Sequence, residues 1–234
     1  MTDRQEFTEP PQFDLSILTY DEFLRFLFDR KIVDDCIERD QYFFGGAVLF
    51  NADNPRQLVE NLTTMFGSVK LLLSRFSAPQ ISQGLQELFD PMGPAVERIL
   101  LSSNVPRANR QECFRSIGRM YTEVVVEWPE ETIPSIFEML WHAIGMEFWF
   151  EISRRLTSSL SSEDSQKLDD MFEVLREMLL SPHGLCQHFA LHGLGHVRHP
   201  DGRRVIQEYM DRLGPDVSPS RRLWMEQCRD GTVM

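Results

Sequence analysis

The sequence predicts an all-α protein, and three observations carry that reading. Apolar residues recur at three- and four-residue steps through most of the chain after Ile17, the spacing of one helix face. Several of these runs open on helix-capping residues. Alternation of β-branched residues is nearly absent, and only Glu123 to Glu127 (EVVVE) reads as a possible strand, too short to anchor a sheet. Hydrophobic residues make up 42% of the 234, with 17 Phe and 11 Met, enough to bury a sizeable core. The expected architecture is an irregular α-solenoid of helical hairpins, with a compact α-helical bundle as the alternative.

In chain order, residues 1–16 are polar, contain Pro10-Pro11, and read as an N-terminal arm. A helical region is expected over 17–157. Thr19 to Glu22 has the form of a capping box and opens a helix through Phe23, Leu24, Phe26, Leu27 and Phe28. Apolar spacing then continues through Cys36 toward Phe43-Phe44, where Gly45-Gly46 marks a break or a close helix approach. Asn54-Pro55 is a cap followed by proline at the first helical position, and Leu58, Leu62, Phe66, Val69 and Leu73 follow as one helix. Ser77 to Gln80 opens the next helix, which ends near Asp90-Pro91. Pro94 starts a short one toward Leu101, and Arg107 begins another that reaches about Tyr121. Thr132 caps a long helix carrying Trp141 and Trp149. Residues 158–165 are rich in Ser, Asp and Glu and read as a linker, and 166–234 holds the C-terminal hairpins, the whole being one continuous helical domain.

The most informative stretch is Ser181 to Arg212. Stepping about 100° per residue, Cys186, Ala190, Leu194 and Val197 form an apolar stripe, and His188, His192 and His196 gather on the other side. Pro200 and Gly202 stop that helix. Val205, Ile206, Tyr209, Met210 and Leu213 then give a second apolar face, folded back on the first. Apolar-Gly pairs at 66–67, 92–93, 117–118, 144–145 and 194–195 lie 26, 25, 27 and 50 residues apart, as one helix-plus-turn unit per interval would give.

The wording of this hairpin resembles a HEAT-like repeat, in the short form found in bilin-lyase-type repeat proteins. Ala190, Leu194-Gly195, Val197, His199-Pro200-Asp201 and Val205-Ile206 occupy that unit's characteristic places. A weaker copy lies at Arg110 to Leu140, and Ser218 to Arg222 looks like the start of another. Gly193 stands where the family prefers Ala. The resemblance implies a solenoid with an extended binding surface, and by analogy a chromophore-handling role in which Cys186 or Cys228 would be the thiols to test.

Composition excludes several classes. A net charge of −12 opposes a nucleic-acid surface or an anionic membrane, since phosphate contacts need clustered Lys and Arg. No run approaches the roughly 18 apolar residues of a membrane span, and the opening residues carry no apolar signal segment. Four widely spaced cysteines without a CxxC pair fit free thiols in a reducing cytosol. A cytoplasmic location follows as the expectation.

The candidate site is the histidine row. His188, His192 and His196 stand one turn apart, a spacing that can clamp a metal, but no Asp or Glu lies between His183 and Pro200. The six histidines include no His-Glu dipeptide of the kind that di-iron HEAT-repeat oxygenases use. No cofactor or metal is therefore expected, and His188, His192 and His196 with Trp141 and Trp149 are read as lining a groove for another protein or peptide. The expected function is a non-catalytic scaffold. The alternatives are a metal-dependent enzyme using the histidine-rich helix and the bilin-lyase-like role.

Overall fold

Capping chemistry sets the helix starts. In the computed structural model, which describes residues 12–33, 49–89, 94–123, 125–127, 135–155, 159–214 and 216–233, Thr19 and Glu22 close the expected capping box on α1 (Tyr20–Phe28). Asn54 accepts from the Gln57 amide at the start of α2 (Pro55–Gly67), and Ser77 with Gln80 caps α4 (Ala78–Leu88). The helix expected to continue through Val69 and Leu73 breaks at Ser68, so α3 (Val69–Arg75) is separate. The Ser68 amide turns back to the Met65 carbonyl there.

The chain continues through α5 (Val96–Leu101), α6 (Arg107–Glu123), α7 (Ile136–Arg154), α8 (Ser162–Leu179), α9 (Gly184–Val197), α10 (Gly202–Leu213) and α11 (Pro219–Asp230). Eleven α-helices thus dominate the described residues, as the sequence class predicts. Among these residues no helix is long and apolar enough to cross a membrane. The expected features at Cys36, Phe43-Phe44, Gly45-Gly46, Pro91 to Gly93 and Thr132 lie outside the described residues.

Three local expectations are corrected. Val125–Glu127 is a 3-10 turn, and the strands among the described residues are β1 (Gln12–Asp14) and β2 (Leu49–Asn51), paired in parallel. Residues 12–16, read as part of a polar arm, are therefore ordered into the fold: the Asp14 carboxylate accepts from the Ser16 amide, and Leu15 is fully buried. Three-residue strands are too short to leave an alternating pattern in sequence. The third correction concerns the Ser/Asp/Glu run at 158–165. Its second half is the first turn of α8, because Ser161 and Asp164 form a capping box. The Asp164 carboxylate also binds Arg155 at 2.8 Å. A run of Ser, Asp and Glu suits a linker and a helix start equally well, and only the three-residue spacing separates them.

One hydrophobic cluster runs from Leu15 to Val233. α2 packs on α6, α6 on α8, and α7 and α8 on α9. Beyond the expected turn, α10 touches α9 only lightly and packs mainly on α11, which itself leans on α9. The core of the C-terminal part is consequently α9, wedged between α7, α8 and α11. Every residue of α9 from Phe189 to Val197 is buried.

Candidate functional site

Enclosure of α9 decides where its histidines go. The stripe of Cys186, Ala190, Leu194 and Val197 is buried, as its spacing predicts. The opposite side is covered as well. α7 runs parallel to α9 and approaches so closely that a Cβ on Gly145 would lie 3.0 Å from the His196 carbonyl carbon. Gly193 meets the same constraint: a Cβ there would lie 2.6 Å from the Leu175 side chain and 2.9 Å from that of Trp141.

Close approach of α7 places His142, one turn before Gly145, against the row. His142 Nδ1 and His196 Nε2 are 2.9 Å apart, and His196 Nε2 and His192 Nε2 are 3.2 Å apart. Across the helix pair, His192 Nδ1 lies 3.1 Å from the Glu138 carbonyl oxygen. A carbonyl oxygen only accepts, so His192 donates from Nδ1 and, when neutral, keeps a lone pair on Nε2. The three clustered nitrogens lie within 4.8 Å of one another.

Burial and mutual repulsion hold these rings neutral. Burial lowers the His192 pKa, and burial with the neighbouring His192 lowers that of His142. His196 falls to about 3, through burial first and then through His142, His192 and Arg198.

The five residues singled out in the sequence occupy four different settings. His192 and His196 are only 3% and 4% exposed and face α7 instead of an open groove. Trp141 is wholly buried, its ring 5.9 Å from that of Phe114, and forms part of the core. Trp149 is half-buried and its indole N–H donates to the Val197 carbonyl at 2.9 Å, satisfying one of the free acceptors at the end of α9. His188 is half-buried, stacked on Trp224 with ring centroids 4.4 Å apart, and its Nε2 lies 3.4 Å from a Glu138 carboxylate oxygen. The groove assignment therefore fails for His192, His196 and Trp141: a helix packed on all sides has no solvent face on which to display them.

Sequence reasoning missed His142, which lies 46 residues before His188 with no motif linking them. The available signal was Ile144-Gly145, a small residue where another helix can come close. The structure also speaks to the thiols. Burial pushes Cys186 up to about 11 and Cys228 up to about 12, so neither has the exposed, low-pKa thiolate that chromophore transfer would use.

An apolar row lies on the outside of the same helix pair. Met139, Met146 and Phe150 on α7 are 40%, 49% and 52% exposed, at steps of seven and four residues that align them on one face. No family model, curated protein or solved structure matches the chain.

Proposed function

We propose that this protein is a non-catalytic scaffold that captures another protein or peptide along the outer face of α7. The observation carrying this reading is the aligned exposure of Met139, Met146 and Phe150. Aligned large apolar side chains on the surface of a folded domain mark contact sites. Methionine suits such a face because its flexible thioether repacks against different partners. His188 and Trp149, the two expected groove residues that keep some exposure, sit on the same α7–α9 pair. The acidic balance favours a partner that is neither nucleic acid nor an anionic membrane. Buried free thiols at Cys113, Cys186 and Cys228 support a cytoplasmic setting.

For the architecture, the helix–turn–helix of α9 and α10 supports the HEAT-like reading and the solenoid it implies. Enclosure of α9 by α7, α8 and α11 supports the compact-bundle alternative, and it accounts for more of the packing. The test is capture from native lysate by the full chain and by a Met146→Ser, Phe150→Ser variant. Loss of specific partners at unchanged melting temperature supports the reading. An unchanged set of partners removes it.

A further inference from the structure

The histidine cluster has more lone pairs than protons to share. His192 spends its N–H on the Glu138 carbonyl, so its Nε2 is an acceptor. His196 Nε2 faces both this atom and His142 Nδ1, at 3.2 and 2.9 Å. If His196 Nε2 carries a proton, that single N–H must be divided between two acceptors. If it carries none, it confronts the His192 lone pair directly. Either arrangement is poor hydrogen bonding for rings held between α7 and α9. A cation at the meeting point satisfies all three nitrogens together.

Two of the three distances agree with that solution, and the third pair, His142 and His192, lies within 4.8 Å. A tetrahedral ion with metal–nitrogen bonds of about 2.0–2.1 Å separates its ligand nitrogens by about 3.3 Å. The two contacts through His196 are close to that value. The Glu138 carbonyl is also the kind of partner that a metal-bound imidazole uses to fix its tautomer, through the ring nitrogen turned away from the ion.

We propose that His142, His192 and His196 form a binding site for one zinc-class divalent cation, clamping α7 to α9. An all-imidazole donor set with neither thiolate nor carboxylate selects for zinc and its late first-row neighbours over magnesium or calcium. Three imidazoles leave a fourth position to water or a small ligand. This site differs from the single-helix set of His188, His192 and His196, because His188 is stacked on Trp224 instead.

The experiment uses the untagged full chain, stripped with a chelator and titrated with zinc chloride alone at neutral pH. Expected is one zinc per chain retained through gel filtration, a raised melting temperature, and affinity reduced at least about a hundredfold in His142→Ala. His188→Ala is expected to bind as the parent does. If His142→Ala does not fold, His142→Gln carries the same comparison. The proposal is overturned by a parent that retains no stoichiometric zinc, by His142 variants that bind like the parent, or by a loss in His188→Ala equal to that in His142→Ala. The last outcome would move the ion to the His188–His192 pair on α9.

Discussion

α7 and α9 lie side by side, and each departs in one row from the usual distribution of polar and apolar side chains. α9 carries its polar row inward, with His192 and His196 buried against α7. α7 carries its apolar row outward, with Met139, Met146 and Phe150 in solvent. α1 follows the ordinary rule: it buries Phe23, Leu24, Leu27 and Phe28 and exposes Asp21, Glu22 and Arg25. Departures from a consistent pattern concentrate at functional places, because they cost stability that nothing in folding requires. The two departures occur on one helix pair, and His142 of the inner cluster stands about one turn from Met139 and Met146 of the outer row on α7.

The largest effect should separate the buried stripe from the exposed row. Leu194→Ala is expected to cost about 2–5 kcal/mol as a truncation inside the core. Met146→Ser is expected to stay within about 0.5 kcal/mol, as a surface change. Urea titration of both variants checks this, and a large loss in Met146→Ser would mean that the outer row is covered by the protein's own chain.

A smaller effect is expected at the start of α8. Burial pushes the Asp164 carboxyl up, but hydrogen bonds from Ser161 and Arg155 outweigh it and leave the pKa lowered. The folded state therefore favours the ionised form. Its stabilisation is complete above the ordinary value of 3.8 and is lost as pH falls through the lowered folded value. Asp164→Asn should cost about 1–3 kcal/mol at neutral pH. The gap between parent and variant should close in strong acid. A gap independent of pH would show that the cap acts without its charge.

The helical class and most helix starts were legible because caps and apolar spacing are local signals. Thr19, Asn54 and Ser77 each announced a helix within three residues of its first turn. The α9 stripe was legible for the same reason. Its other side was not, since whether a helix is covered on one side or all round depends on helices distant in sequence. Gly193 and Gly145 hinted at coverage, but a glycine in a helix does not name the neighbour that fills its space. His142 stayed hidden because it joins the row only through that close approach. Trp141 and Trp149 looked alike in sequence. One became core, and the other was drawn to the unpaired Val197 carbonyl at the end of α9.

The central claim is that the histidine row of α9 meets His142 of α7 in the interior. A double-mutant cycle on His142→Ala and His196→Ala, measured by denaturant unfolding in the presence of a chelator, tests it most directly. Rings in contact should couple, giving an interaction energy of about 0.5–3 kcal/mol of either sign. Losses that add within about 0.3–0.5 kcal/mol would contradict the contact and the site built on it.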